Sequence, residues 1–229
     1  MDSENVMKIL VKFPTRGRPD LFFKTLDLYY KFAIDKSNLF FLVSLDEDDS
    51  QMMSVESLDK LNQCDNLQVV FGKSNSKIDA VNRDMDKLEF DYDIILLASD
   101  DMIPQVEAYD LIIKEKMIKH YPDTDGILFF DDGYRGNKLN TLSIFGKKYY
   151  ERFNYIYYPG YISVFADNEF MDVGNLLNRQ TYIDECIIKH EHPANGAEMT
   201  LDEIHFANAK NHLIDEKLFL ERKRRNFDL

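Results

Sequence analysis

The stretch Tyr92 to Met102 reads YDIILLASDDM, an apolar run that ends in the adjacent acids Asp100 and Asp101. Short apolar runs bounded by polar residues are typical of strands covered on both faces, as in parallel α/β sheets. Ligands of such sheets bind beyond the carboxyl ends of the strands, which is where these acids lie. Carboxylate oxygens suit Mg²⁺ or Mn²⁺, particularly when a diphosphate completes the coordination. Taken alone, a pair of aspartates is more commonly part of a solvated loop, so a metal site needs support from elsewhere in the chain.

The composition is that of one soluble α/β domain, with 229 residues of which 45% are hydrophobic and 30% are charged. The formal net charge of -13 argues against nucleic acid or an anionic membrane as the main partner, because both require a basic surface. Cys64 and Cys186 have neither metal nor redox spacing, which favours a reducing compartment. The sequence shows no secretory signal pattern and no apolar run near the roughly 20 residues of a spanning helix. We therefore expect a cytoplasmic protein without a transmembrane segment.

Strand and helix patterns alternate through the first hundred residues. The predicted strands are Val6 to Phe13, Leu39 to Leu45, Leu67 to Phe71 and the central stretch, and the predicted helices are the Phe22-Leu26-Tyr29-Ala33 face, Ser54 to Leu61 and Lys77 to Leu88. This β-α-β-α-β-α-β order implies parallel strands joined by right-handed crossovers.

The second half of the chain is less regular. Its predicted elements are a helix from Gln105 to His120, a strand from Gly126 to Phe130 ending in Asp131-Asp132, a strand and then a helix within 138–153, a short helix ending at Leu177, a strand from Tyr182 to His192, and a long terminal helix opened by a Thr200-Glu203 capping box. Tyrosines crowd around the Pro159-Gly160 turn. They are either a buried aromatic edge or a platform on which sugar rings stack.

Four features are predicted to follow strands or to open a helix at one sheet edge: the Thr15-Arg16 turn, Asp46, the segment Lys77 to Asn82, and Asp100-Asp101. In this order they resemble the nucleotide-binding half of GT-A fold glycosyltransferases, most closely the inverting family 2 type. The compact layout is also similar to that of small viral glycosyltransferase domains. The resemblance implies a single Rossmann-like GT-A domain over residues 1–229, in which a mostly parallel sheet is flanked by helices. Residues 1–104 would form the nucleotide-sugar-binding half, and residues 105–229 the acceptor-binding and catalytic half.

The resemblance also implies roles for individual residues on the donor side. Pro14, Thr15 and Arg16 would lie against the donor base, and Asp46 would hydrogen-bond to it. Lys77 and Asn82 would lie near the nucleotide. Ser99-Asp100-Asp101 is similar to a DxD motif whose first acid is replaced, so that Asp100 would contact the ribose and Asp101 would hold Mn²⁺ or Mg²⁺.

The catalytic half matches more loosely. Asp167 lies where the family has the Asp of a Glu-Asp pair, which acts as the base, but the Glu of that pair is missing here. Asp167 is therefore the candidate base and Glu169 its rival, with Asp132 as a further alternative. Several GT-A enzymes supply a histidine to the metal, and alternation along a strand puts His190 and His192 on the same face, so that either could be the ligand.

These residues predict a metal-dependent, hexosyltransferase-like enzyme that moves a sugar from a nucleoside-diphosphate sugar, with UDP-sugar favoured, to a hydroxyl of a glycan or other acceptor with inversion. A metal would neutralise the leaving diphosphate, and a carboxylate would take the proton of the acceptor. A sugar-phosphate nucleotidyltransferase would share the architecture, but it would have a glycine-rich loop, and residues 14–19 contain only Gly17. A receiver-type signalling domain would carry its acidic pair after the first strand. A non-catalytic nucleotide-sugar or carbohydrate binder of the same fold remains an alternative.

Overall fold

The structure is a computed structural model that describes residues 6–191 and 211–229. Within these residues a seven-stranded sheet has the order β3-β2-β1-β4-β7-β6-β8, and β5 pairs with β9 in a separate two-stranded sheet. The strands are β1 Ile9–Thr15, β2 Leu39–Asp46, β3 Leu67–Gly72, β4 Ile94–Leu97, β5 Met102–Pro104, β6 Ile127–Phe130, β7 Ile144–Gly146, β8 Gln180–Ile183 and β9 Ile188–His190.

The first four strands of the large sheet are mutually parallel, as the alternation of strand and helix patterns predicts. β1 pairs in parallel with both β2 and β4, and β2 pairs in parallel with β3. β7 is the exception, because it runs antiparallel to β4 and to β6. The single α/β domain with a mostly parallel sheet is therefore confirmed.

Helices cover both faces of this sheet. They are α1 Pro19–Phe32, α2 Val55–Asn62, α3 Lys77–Asn82, α4 Tyr109–His120, α5 Lys147–Glu151, α6 Ala166–Leu176 and α7 His212–Arg224. Because side chains alternate along a strand, Val11 and Phe13 of β1 face α1 and α4, while Leu10 faces the layer that contains α3, α6 and α7. Among the described residues, no helix combines the length and the apolar character needed to cross a membrane.

The tyrosines around Pro159-Gly160 belong mainly to the layer that contains α3, α6 and α7. Tyr149, Tyr157 and Tyr161 are between 1% and 8% exposed and pack with Phe145 and Phe170. Their burial favours the aromatic-edge interpretation over a sugar-stacking platform, since buried rings offer no face to a ligand.

Three predicted elements have different bounds in the structure. The helix predicted from Lys77 to Leu88 ends at Asn82, because the backbone of Arg83 is extended, with ψ of 161°, and Asp84 follows in a left-handed conformation with φ of 73°. The helix predicted from Gln105 begins at Tyr109, after Ala108 with φ of 63°. A left-handed residue cannot continue an α-helix, and this constraint does not show in the apolar pattern.

The predicted strand from Tyr182 to His192 is two strands in two sheets. β8 pairs with β6 and ends at Ile183, whereas β9 pairs with β5. The apolar pattern runs across the break because each piece is half-buried against a different partner. His192 and the predicted Thr200-Glu203 capping box lie outside the described residues, and the terminal helix is described from His212 onward.

Candidate functional site

The carboxyl ends of β1, β2 and β4 meet at one edge of the sheet, since these strands are parallel neighbours. Thr15 ends β1, Asp46 ends β2, and Asp100 and Asp101 lie in the turn that follows β4. The structure thus brings the predicted donor-side residues of three strands to the same edge, where open α/β sheets bind their ligands.

Asp46 is held in a buried polar cluster. Its Oδ2 accepts a hydrogen bond of 2.8 Å from Arg16 Nη1, and its Oδ1 accepts one of 2.6 Å from the Ser74 hydroxyl. Arg83 supports this arrangement, since its Nε donates to Ser74 Oγ at 2.9 Å and its Nη2 lies 3.4 Å from Asp46 Oδ1. Arg16 is half-exposed and also bonds to Asp48, so its contact with Asp46 is the one a ligand can replace. Sequence reasoning missed both residues, because Ser74 lies between the predicted strand and helix and Arg83 lies within a predicted helix where nothing marked it as a site residue.

The hydroxyl of Thr15 is a second sign of a ligand at this edge. Thr15 is buried, and its Oγ1 has no hydrogen-bond partner within the described residues. A buried hydroxyl without a partner is costly, and it suits a position that a bound molecule completes. The adjoining turn is shaped by Asp49, whose Oδ2 accepts a hydrogen bond of 2.6 Å from the amide of Gly17, a residue with φ of 70°. Pro14 precedes Thr15 within β1 and is half-buried.

Asp100 is held by α1. Arg18 Nη1 lies 3.1 Å from Asp100 Oδ1, and the Thr25 hydroxyl donates to the Asp100 carbonyl at 2.8 Å. Burial raises the pKa of Asp100 above its ordinary value, although the charge of Arg18 acts in the opposite direction. Arg18 and Thr25 were not identified from the sequence, where the only signal was the second arginine of the basic turn.

Asp101 is held from the other side, by β9. His190 Nε2 lies 3.5 Å from Asp101 Oδ2, Ser99 Oγ bonds to the same carboxylate, and the amide of Glu191 donates to the Asp101 carbonyl at 2.8 Å. Burial acts to raise the pKa of Asp101, but His190 and Ser99 outweigh it and hold the pKa below the usual range. The carboxylate is therefore ionised at neutral pH.

Asp101 and His190 suit a divalent cation. The pairing of Met102 with His190 and a bond of 3.0 Å from the His190 amide to the Asp132 carbonyl fix both side chains on rigid backbone. Carboxylate oxygen with imidazole nitrogen is a donor set compatible with Mn²⁺. The part of the chain that is described contains no group of three or more candidate ligand residues, so a cation here would draw its other ligands from substrate and water.

Lys77 opens α3 opposite this pair. Ser76 caps the helix, and the amide of Ile78 bonds to the carbonyl of Ile162 in the segment that leads into α6. Burial has the larger influence on the pKa of Asp100, Asp101 and Asp167, and the Lys77 charge acts to lower all three. The exposed ammonium of Lys77 is thus near enough for its charge to act on all three acids.

The side-chain amide of Asn82 binds the main chain. Its Oδ1 accepts hydrogen bonds of 2.9 and 3.0 Å from the amides of Ile156 and Tyr157, and its Nδ2 donates to the Tyr157 carbonyl at 2.7 Å. The side-chain amide is therefore occupied by the main chain, and Asn82 fixes this loop.

Asp167 is the second residue of α6. Phe165 is the N-cap residue of this helix, and within the described residues the Asp167 carboxylate accepts a local bond of 2.9 Å from the Asn168 amide. Burial raises its pKa above the ordinary value, against the charges of Lys77 and His190. A raised pKa and nearby positively charged side chains suit a general base.

The two rival acids are engaged elsewhere. Glu169 is 4% exposed and receives hydrogen bonds from Arg222 and from the Tyr161 hydroxyl, the latter at 2.8 Å. Asp132 accepts bonds from the Thr141 hydroxyl at 2.6 Å and from the amides of the turn that follows it. Their carboxylates are thus bound within the protein, whereas the bond that the Asp167 carboxylate accepts within the described residues is a local one.

Comparison with known proteins shows similarity of fold and no match at the level of sequence families. No protein-family model matches the chain, and no curated protein matches it. Among solved structures it is similar to the mannosyltransferase PcManGT from Pyrobaculum calidifontis in complex with GDP-Man and Mn²⁺, with 13% identity and a TM-score of 0.65 over 82% of this chain and 58% of that one.

Two other solved structures are similar at comparable identity. TarS from S. aureus in complex with UDP-GlcNAc has 14% identity and a TM-score of 0.64, covering 86% of this chain and 60% of that chain. A 4-diphosphocytidyl-2C-methyl-D-erythritol synthase from Anaerococcus prevotii has 15% identity and a TM-score of 0.54, covering 90% of this chain and 96% of that chain. The sheet order, the acidic turn after β4 and these similarities lead to one conclusion: the chain has the GT-A fold of nucleotide-sugar glycosyltransferases.

Proposed function

We propose that the chain is a metal-dependent glycosyltransferase that moves a hexose from a nucleoside-diphosphate sugar to a hydroxyl acceptor with inversion. The observation that carries this proposal is the meeting of Asp46 and the Asp101-His190 pair at one sheet edge, with Asp167 near enough for the charges of Lys77 and His190 to oppose the rise in its pKa that burial causes. Asp46 supplies a carboxylate for the nucleotide base, and the Asp101-His190 pair supplies a cation site for the diphosphate. Asp167 supplies a carboxylate for the acceptor hydroxyl. The solved GT-A neighbours with UDP-GlcNAc or GDP-Man support it.

The donor base lies against Thr15 and Asp46 in this proposal. Asp46 accepts hydrogen bonds, so it selects a base edge that carries a ring N–H, as uracil and guanine do. The hydroxyl of Thr15 completes its hydrogen bonding on the same base. We favour a UDP-sugar, for which thermal-shift measurements over a panel of nucleotide sugars with Mn²⁺ are the direct test. A ligand present at 100-fold its Kd adds about 2.7 kcal/mol of stability.

Asp101 and His190 hold the divalent cation, either Mn²⁺ or Mg²⁺. When bound, such an ion neutralises the charge that develops on the leaving diphosphate. Lys77 contributes a second positive charge, which a protein of net charge -13 needs at an anionic ligand. Arg18 holds Asp100 away from the cation, so that Asp100 contacts the ribose instead.

Asp167 takes the proton of the acceptor hydroxyl as that oxygen attacks the anomeric carbon. The bond to the diphosphate breaks on the opposite side of the sugar, so one displacement inverts the configuration. A positioned general base contributes about 10²–10⁴-fold to such a step.

A nucleotidyltransferase is the second candidate, because the chain covers 96% of the Anaerococcus synthase. It lacks the glycine-rich loop expected for that activity, since residues 14–19 contain only Gly17. Product analysis separates the possibilities. A glycosyltransferase releases nucleoside diphosphate in an acceptor-dependent way, a nucleotidyltransferase releases pyrophosphate, and a binder without activity releases neither.

Asp46→Ala is expected to weaken binding of free UDP and of the UDP-sugar to the same extent, by at least about 10-fold, because a hydrogen bond to a charged group contributes about 1.5–3 kcal/mol. Calorimetry with both ligands tests this. Asp48→Ala is the matched control, since Asp48 is an exposed partner of the same Arg16 and its loss should change affinity little. Unchanged UDP affinity in Asp46→Ala would place the base elsewhere.

Arg18→Met is expected to reduce the preference for ribose over its deoxy analogues. If Arg18 orients Asp100 toward the ribose, the variant should lose affinity for UDP but not for 2′,3′-dideoxy-UDP. Lys24→Met, an exposed change on the same helix, serves as the control. An equal loss for both ligands would mean that Arg18 acts on the phosphates or on folding instead.

A further inference from the structure

Helix α7 binds the segment that leads into α6 through one buried carboxylate. Asp215 is 0% exposed, and its two oxygens accept hydrogen bonds from the successive amides of Ile162, Ser163 and Val164, at 2.9, 2.8 and 2.9 Å. Three amides on one carboxylate fix the path of this segment, which ends just before Phe165, a non-glycine residue with φ of 63°. A strained residue of this kind persists only when its surroundings hold it.

The same helix binds the first turn of α6 through a buried ion pair. Arg222 donates from Nε to Glu169 Oε2 at 2.8 Å and from Nη2 to Oε1 at 2.9 Å, and both side chains are almost fully buried. The guanidinium also lies 3.4 Å from the centre of the Tyr158 ring. Two parallel hydrogen bonds fix both the orientation of the Glu169 carboxylate and its distance from Arg222, because the planar fork of arginine matches a carboxylate.

These two contacts lie on either side of Asp167. Asp215 holds residues 162–164, Arg222 holds Glu169, and the candidate base lies between them on the intervening turn. Both contacts are buried and belong to α7, which contributes no residue to the cluster at Asp46 or to the Asp101-His190 pair. Removing either partner leaves an uncompensated charge or unpaired amides next to the candidate base.

We propose that Asp215 and Arg222 are positioning residues that set the place of Asp167 for proton abstraction. This inference rests on the proposed function for the role of Asp167, and it assigns α7 a part in catalysis although α7 does not touch the substrates. It also explains why Glu169 is buried, because its carboxylate binds Arg222 and so holds the first turn of α6.

The test compares three variants of the full chain with one control. Arg222→Met removes the charge, Arg222→Lys keeps the charge without the fork, and Asp215→Asn keeps the size but cannot accept from all three amides. Lys217→Met is the control, since Lys217 lies on α7 and its side chain is 79% exposed. The measurements are UDP and Mn²⁺ affinity by calorimetry, kcat and KM for sugar transfer, and the titration of the Asp167 carboxyl by NMR in the absence of metal.

Positioning predicts that Arg222→Met and Asp215→Asn bind UDP and Mn²⁺ as the unchanged protein does, while kcat falls by about 10²-fold, the cost of a displacement of about 1 Å. Arg222→Lys should recover part of that loss, and the Asp167 titration should move toward the ordinary range in the impaired variants only. If Arg222→Met does not fold, Arg222→Lys and Asp215→Asn decide the question by the same criteria.

Two results would overturn the inference. The first is a loss of thermal stability with normal kcat and an unmoved Asp167 titration, which would make the contacts structural only. The second is a parallel loss of UDP affinity and kcat, which would show a general collapse of the site. If the unchanged protein transfers no sugar, the proposed function fails separately, and the Asp167 titration still decides whether Asp215 and Arg222 position that carboxylate.

Discussion

Asp167→Asn is expected to slow sugar transfer by at least about 10²-fold while leaving metal and donor binding unchanged. Asparagine has the size of aspartate but cannot accept the acceptor's proton. The carboxylate of Asp167 has a raised pKa owing to burial, and Phe165 rather than Asp167 is the N-cap of α6, so stability should change little. Initial rates at saturating donor, together with calorimetry of UDP-sugar and Mn²⁺, measure both parts of this expectation.

A matched control lies on the same helix. Asp172 forms a peripheral ion pair with Lys223 at 2.7 Å, so Asp172→Asn should leave the rate of transfer unchanged. Near-normal turnover by folded Asp167→Asn protein would remove Asp167 from the mechanism. The base would then have to be sought at the alternatives Glu169 and Asp132, which would first have to release their internal partners.

Asp101→Ala is expected to abolish the stimulation of donor binding by a divalent cation. Loss of groups that merely support a metal ligand costs about 10–100-fold in affinity, so loss of a direct ligand should cost at least about 100-fold. Titration of UDP-sugar with Mn²⁺ and with a chelator, in both proteins, gives the effect directly. Free nucleoside binding should persist, because Asp46 and Thr15 are untouched.

Asp101→Asn serves as a second variant, since it keeps the size of the side chain and tests charge alone. Asp184→Ala is the control, because Asp184 is an exposed acid in the loop after β8 and takes no part in the pairing of Met102 with His190. Metal-stimulated binding of normal strength in both Asp101 variants would contradict the assignment of the cation to Asp101 and His190.

Much of the architecture could be predicted from the sequence, because the signal is local. The alternation of apolar strand runs with helical faces predicts a parallel sheet, and the GT-A fold expected from the Thr15, Asp46, Lys77 and Asp101 segments is confirmed by the solved structures of that fold. The roles of individual site residues stay predictions until the variants are measured.

What the sequence determined by itself is the alternation of strands and helices through β4 and the edge at which the acids gather, since strand periodicity and burial are properties of neighbouring residues. The tertiary structure alone decided which acid is bound by which partner. Adjacent Asp100 and Asp101 have different partners, since Arg18 of the first turn holds one and His190 of β9 holds the other. Glu169 is neutralised by Arg222, 53 residues further along the chain. Such pairings depend on long-range packing that no local pattern encodes.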